Sequence, residues 1–218
     1  MLSPPPAIPK VIYLDAFGTL FGLKGSVGQL YSALARRAQV ETDPQALDRA
    51  FYQSFVAAER LAFPGAAPTD IPLLEYHWWQ AIVAETFEQV GVLDRFSDFE
   101  AFYKDLYDHF ATVTPWQVYA DTLPSLRRWQ SMGIELGIIS NFDSRLHQVL
   151  KVLGLAPHFQ TVTISTEVGA AKPSVKIFQA ALAKHDCAAD QAWHIGDSKS
   201  EDYAGAQAAG LRAILIDR

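Results

Sequence analysis

Three acids, a lysine and a few hydroxyl and amide side chains stand where chemistry could use them. Asp15 closes the apolar run Val11-Ile-Tyr-Leu14 and is followed by Ala16, Phe17, Gly18 and Thr19. Ser140 and Asn141 close a second apolar run that begins at Ile134, and Lys172 directly precedes Pro173. Asp197 follows Ala192-Trp-His-Ile-Gly196, with Asp202 shortly after. Brought together, three carboxylates repel one another unless a cation joins them, so a hard divalent metal with oxygen ligands is expected. A lysine beside them would pair with the nucleophile or with an anionic substrate group. The set suits phosphoryl transfer: an aspartate nucleophile, a Mg²⁺ clamp, a lysine, and hydroxyl and N–H donors for phosphate oxygens.

Those residues converge only if the elements carrying them share a sheet. After Trp116 the sequence alternates between helical and strand patterns. Helices are expected at 122–132, 144–153, 173–184 and 202–209. Strands are expected at 134–140, 161–164, 192–196 and 211–216. Pro173 is placed in the first turn of its helix, Asp143 as the cap of the helix near Ser144, and Asp202 as a helix N-cap compatible with metal ligation. Such alternation implies βαβ units and a parallel sheet, and ligands of such sheets bind outside the carboxyl ends of the strands. Asp15, Thr19, Ser140, Asn141 and Asp197 fall at such ends, Asp202 comes slightly later, and the loop after the strand at 161–164 leads to Lys172 at a helix start.

Between Ser26 and about Phe110 the pattern is helical throughout, with apolar residues such as Leu30, Leu34, Phe51, Phe55, Ile82, Val83, Phe87, Phe102 and Leu106 at three- and four-residue spacing. Asp43-Pro44 marks one helix start, and Phe63–Asp70 is a loop. The expected architecture is α/β: a Rossmann-like parallel-sheet core formed by residues 1–21 and 112–218, interrupted by a helical cap over 22–111.

Four segments resemble, in order, the motifs of the haloacid dehalogenase-like (HAD) hydrolase superfamily: Leu14-Asp-Ala-Phe-Gly-Thr-Leu20, Ile139-Ser-Asn141, Lys172-Pro173 and Gly196-Asp-Ser-Lys-Ser-Glu-Asp202. Pro115-Trp-Gln-Val118, Ile139-Ser-Asn-Phe-Asp143 and Asp202-Tyr-Ala-Gly-Ala206 resemble in particular the branch of haloacid dehalogenase-like hydrolase domain-containing protein 3. The resemblance implies a Mg²⁺-dependent hydrolase with Asp15 as nucleophile and metal ligand. It implies a metal bond from the backbone carbonyl of Phe17, phosphoryl binding by Ser140 and Asn141, and charge neutralisation by Lys172. Asp197 is implied as a metal ligand, and Asp202 as one acting directly or through water. Thr19 is a candidate for bonding either substrate or backbone.

One residue departs from the superfamily's phosphatases. Two positions after the nucleophile they carry a second aspartate, which protonates the leaving oxygen; here Phe17 stands there. General acid–base help is worth about 10²–10⁴-fold, so a phosphatase with this sequence is expected to be slow or confined to good leaving groups. The leading reading is a phosphatase acting through an aspartyl-phosphate on a small phosphorylated metabolite. The second is a catalytically weak or silent fold that binds a phosphorylated molecule or a protein. The third is a 2-haloacid dehalogenase, whose first motif also carries an aromatic residue and whose halide leaves without a proton. The acidic pair Asp197 and Asp202 argues against that third reading. It would also want a cap arginine for the substrate carboxylate, and Arg36, Arg37 and Arg60 are the candidates, the first two expected to face solvent.

Composition bounds the rest. The 218 residues are 50% hydrophobic and carry a net charge of −6, enough for a buried core and unsuited to a nucleic-acid backbone binder. No apolar run reaches the roughly 18 residues of a membrane helix, and the proline-rich start, expected to be an extended arm, lacks a signal-peptide pattern. A single cysteine, Cys187, excludes an intrachain disulfide. A cytoplasmic protein is therefore expected, with a monomer as the simplest oligomeric state. His77-Trp78-Trp79 is read as packing rather than a substrate surface, and His194 as a packed histidine.

Overall fold

The computed structural model describes residues 8–218; the proline arm expected at the start lies mostly outside them. The chain runs through β1 (Val11–Leu14), β2 (Phe21–Leu23), α1 (Val27–Arg37), α2 (Pro44–Ala57), α3 (Ile71–Gln89), α4 (Phe99–His109) and β3 (Trp116–Val118). It continues through α5 (Thr122–Ser131), β4 (Glu135–Ser140), α6 (Leu146–Val152), β5 (Thr161–Ile164), α7 (Ser165–Val168) and α8 (Val175–Lys184). Strand β6 (Ala192–Gly196), a π-helical turn (Lys199–Ala204), α9 (Gly205–Ala208) and β7 (Arg212–Leu215) complete it.

Five strands form one sheet in the order β5-β4-β1-β6-β7, every neighbouring pair parallel. Strand β1 is central, and all four of its residues are buried, as expected for a strand covered on both faces. Period-2 alternation then divides its side chains. Ile12 and Leu14 join Leu126, Leu136, Ile138 and Val149 on one face, while Val11 and Tyr13 join Ile139, Ile177 and Phe178 on the other. Leu14 is level with Ile138 on β4 and with Ile195 on β6. The carboxyl ends of the three middle strands therefore open side by side, where the connections diverge to the two halves of the sheet.

The helices between β2 and β3 bury their own cluster, with Tyr31, Leu47, Val83, Phe87, Phe102, Tyr103 and Leu106 at its centre. Their starts follow local chemistry: Ser26 and Gln29 form a reciprocal capping box on α1, and Asp43 caps α2 ahead of Pro44. Three features differ from the sequence expectation. Strands β2 and β3 pair antiparallel at the base of the helical insertion, too short at three residues each to leave a periodic pattern. The short α7 is also absent from that expectation. Pro173 lies outside α8, whose N-cap is Ser174. Among the described residues, no helix is long and apolar enough to cross a membrane.

Leu136 is fully buried at the middle of the sheet. Leu136→Ala is expected to lower unfolding stability by roughly 2–5 kcal/mol, whereas Leu73→Ala, at a largely exposed position of α3, should shift it by no more than about 0.5 kcal/mol. Urea titrations of the two variants compare them directly.

Candidate active site

Asp15 lies just past β1, Ser140 ends β4, Lys172 follows α7, and Asp197 and Asp202 follow β6. The fold brings all of them together. Lys172 is buried, and its Nζ donates to Asp15 Oδ1 and Asp202 Oδ1, each at 2.6 Å. Ser140 Oγ donates to the same Asp15 oxygen at 3.2 Å. Asp15 Oδ2 accepts no hydrogen bond from the described residues, which leaves it open toward the cavity. Thr19 Oγ1 donates to Asp197 Oδ1 at 3.2 Å.

Asp202 is held from three sides. His194 Nε2 is 2.8 Å from Oδ1, Lys172 reaches the same oxygen, and the Ser198 N–H donates to Oδ2 at 3.0 Å. A carboxylate only accepts, so His194 carries its proton on Nε2; its buried Nδ1 has no partner. His194 is thus packed, as expected, and also part of the site. Asp202 is not the helix cap that the sequence suggests. Ser198 takes that role, accepting the Glu201 N–H, because the chain turns here in a π-helical loop that points Asp202 inward.

Electrostatics follow from this arrangement. Burial pushes the Asp15 carboxyl up, to about 6, against the opposing pull of Lys172. Burial would raise Asp202 as well, but the hydrogen bond from His194 and the charge of Lys172 outweigh it and hold the group well below the usual carboxylate range. Burial also opposes the Lys172 charge, yet its two carboxylate partners prevail and push it up to about 12. Burial holds His194 below the usual histidine value.

Asp15, Asp197 and Asp202 each offer an oxygen within 4.8 Å of the others'. Three hard oxygen donors at that spacing fit a divalent cation of the Mg²⁺ type. Two glycines make the room. A Cβ on Gly18, at φ +87°, would fall 2.5 Å from Asp197 Oδ2, and one on Gly196 would fall 2.2 Å from the Asp202 carboxyl carbon.

Asn141 is placed differently from a bare phosphate ligand. Its Nδ2 donates to the Lys172 carbonyl and to Glu201 Oε2, and its Oδ1 accepts the Lys172 N–H. It therefore ties the lysine loop to the turn after β6. Arg60, from the loop after α2, donates from Nη1 to the Lys172 carbonyl at 2.5 Å and to Glu201 Oε1 at 2.9 Å. Arg36 and Arg37 are solvent-exposed and do not line the cavity.

Above Asp15 opens a cavity of about 610 Å³, roofed by α1–α4 and lined by Phe17, Phe55, Trp78, Trp79 and Trp116 among others. Phe17 is half-exposed and meets Trp116 edge-on. Trp79 packs against the helical core cluster, as expected, and both tryptophans also line the cavity, because α3 turns that face toward the sheet. Arg145, which the sequence reading missed, also lines it. Its guanidinium grips both oxygens of buried Asp143, donates to the Tyr107 carbonyl and lies 3.7 Å from the Tyr107 ring centre. Asp143 does accept the Arg145 N–H near the start of α6, but its main partners are this guanidinium and the Trp79 indole N–H. Glu75 of α3, fully buried, accepts the Ser144 N–H, the Ser144 hydroxyl and the Thr166 hydroxyl. Its signal in the sequence is a single acid inside the apolar run Ile71–Trp79. Together these bonds pin the helical roof to the sheet along one side of the cavity.

A model of the haloacid dehalogenase-like hydrolases matches residues 9–210. The chain belongs to that family. Haloacid dehalogenase-like hydrolase domain-containing protein 3 of Bos taurus is 34% identical over 207 residues, covering 95% of this chain and 81% of the relative. An HAD phosphatase from Thermococcus onnurineus is 25% identical with a TM-score of 0.63, over 96% of this chain and 86% of that one. An L-2-haloacid dehalogenase from Xanthobacter autotrophicus shares the fold at 19% identity and a TM-score of 0.66, over 96% of this chain and 78% of that one. Family membership thus agrees with the geometry, while the fold itself spans both chemistries.

In this HAD-like hydrolase the Lys172 ammonium bridges two buried carboxylates and offsets their mutual repulsion. Lys172→Met would leave them facing each other and is expected to cost about 3–5 kcal/mol at pH 7.5. Without the ammonium the Asp15 carboxyl rises further above its unfolded value, so the folded state binds more protons than the unfolded one. The contribution is then present at low pH and lost as pH rises through the folded value. The deficit relative to wild type should therefore shrink at pH 5, as paired urea titrations would show.

Proposed function

We propose that the protein is a Mg²⁺-dependent phosphatase acting through an aspartyl-phosphate on a small phosphorylated molecule. The observation that carries this reading is Asp15, with Lys172 and Ser140 on one oxygen and the other oxygen free toward the cavity. The free carboxylate oxygen attacks phosphorus, and the bond from phosphorus to the leaving oxygen breaks, its electron pair departing with that oxygen. Water then attacks the phosphorus of the aspartyl-phosphate, and the bond from phosphorus to the Asp15 oxygen breaks with its electron pair returning to the carboxylate. Inorganic phosphate leaves, the water's proton passing to solvent or to the phosphate itself. Lys172 offsets charge that builds on the attacking group and the phosphoryl oxygens. Asp15, Asp197, Asp202 and the Phe17 carbonyl are the residues that would hold Mg²⁺. With Lys172 and His194 on one oxygen of Asp202 and the Ser198 N–H on the other, that residue suits contact through water. When bound, the metal supplies Lewis-acid neutralisation of the phosphoryl charge.

Phe17 cannot give a proton to the leaving oxygen, so that oxygen departs as an anion and is protonated by solvent. The half-exposed ring over the cavity also supports a second reading, a phosphate-binding protein with weak or no turnover. A dehalogenase is less well supported: Arg36 and Arg37 do not line the cavity, and Arg60 is paired with Glu201.

Two measurements check this function. Phe17→Asp restores an acid at the half-exposed position, and turnover of a simple alkyl phosphate should rise about 10²-fold or more. No gain would favour the binding protein. Mg²⁺ requires Asp15 ionised, and a carboxyl titrating near 6 competes with the metal for a proton. The apparent Mg²⁺ affinity at pH 5 should therefore be roughly tenfold below that at pH 7.5, and calorimetry should record proton release on binding.

A further inference from the structure

The walls of the cavity bear on the organic half of the substrate, which the catalytic residues leave open. Away from the polar groups gathered around Asp15 and Lys172 the lining is mostly aromatic and aliphatic, with Tyr31, Phe55, Trp78, Trp79, Trp116 and Phe142 among its large side chains and Glu59, Arg60 and Arg145 as its charged ones. The polar handles of the two α3 tryptophans are already used: Trp78 Nε1 donates to the Glu59 carbonyl and Trp79 Nε1 to Asp143. What those residues offer a ligand is ring surface. The cations are used as well. Arg145 is engaged with Asp143 and the Tyr107 carbonyl, and Arg60 with Glu201 and the Lys172 carbonyl. Glu59, exposed on the cavity lining, adds a negative charge that disfavours a second anionic group on the ligand. Phe55 is 43% exposed and lies near-parallel to the Trp79 ring at 5.9 Å. It is a large apolar side chain turned toward the cavity instead of the core.

A hydroxyl-rich body would lose its water partners here and find few replacements. A flat apolar body would cover the rings and displace poorly held water. Phe17 points the same way independently. A phenol loses its proton at about 10, against about 15.7 for water, so an aryl oxide leaves without the acid that this chain lacks.

We propose that the substrate is a phosphate monoester of an uncharged aromatic body, with the phosphate at Asp15 and the rings among Phe55, Trp78 and Trp79. The leaving-group half of this inference rests on the phosphatase reading; the aromatic wall does not. In the reaction the bond from phosphorus to the aryl oxygen breaks, its electron pair leaves with the aryl oxide, and solvent supplies the proton.

The test separates binding from turnover. Mg²⁺-loaded protein is titrated calorimetrically with naphthylmethylphosphonate, methylphosphonate and 2,3-dihydroxypropylphosphonate. Hydrolysis of 1-naphthyl phosphate and glycerol 3-phosphate is measured in parallel. The naphthyl compound should bind about 100-fold tighter than the other two. Phe55→Ala should reduce that preference about two- to tenfold, with Phe55→Tyr restoring it. The kcat/KM for 1-naphthyl phosphate should exceed that for glycerol 3-phosphate by about 10²-fold. Naphthyl preference in binding with no hydrolysis of 1-naphthyl phosphate supports the aromatic ligand and overturns the phosphatase. Equal binding of the three phosphonates, or faster hydrolysis of glycerol 3-phosphate, overturns the aromatic substrate; in the latter case phosphatase activity stands.

Discussion

The ammonium of Lys172, buried between the carboxylates of Asp15 and Asp202, is the interaction on which the site depends. Two acids in a low-dielectric interior cannot both stay ionised without a compensating charge. The lysine supplies it while still leaving one Asp15 oxygen unbonded. Much of the surrounding structure serves to keep that lysine in place. Asn141 bonds its backbone on both sides, Arg60 bonds its carbonyl, and Glu201 joins Asn141 to Arg60. Residues that a motif reading treats as substrate ligands are thus committed, in part, to holding the charge balance.

The fold builds the polar floor of the cavity and its apolar wall from different elements. Reactive groups come from strand ends of the sheet, where the parallel register holds them at fixed spacing. The cavity wall comes largely from the helical roof, which buries an apolar cluster of its own. Yet the two are not loosely joined. Glu75, Trp79 and Tyr107 bond to Ser144, Thr166, Asp143 and Arg145 along one flank of the cavity. Burial raises Glu75, partly offset by those hydrogen bonds. Any opening of the roof must therefore pivot near this flank or break buried polar bonds that water would have to replace.

Phe17 links the two halves of the molecule. Its backbone keeps the turn that brings Gly18 against Asp197, and its ring faces Trp116 at the base of the roof. At this position an aromatic ring offers apolar surface and no transferable proton, so one side chain bears both on the acid–base capacity of the site and on the character of its wall.

The sequence alone determined the parts whose cause is local. Continuous apolar runs made the sheet strands legible, three- and four-residue spacing made the helices legible, and an acid or hydroxyl at a strand end placed Asp15, Ser140 and Asp197 at one edge, with Lys172 in a loop leading to the same edge. Tertiary structure decided what depends on partners distant in sequence. The roles of Arg145 and Glu75 rest on Tyr107, Ser144 and Thr166, brought near only by packing. The tryptophan pair reads as core on a helical wheel; Trp79 does pack on the helical cluster, and only the docking of α3 over the sheet also turned the pair toward the cavity. Asp202 reads as a cap, and only the π-helical turn aimed it at Lys172. Periodicity records which side chains avoid water, but not which neighbour they meet when they do.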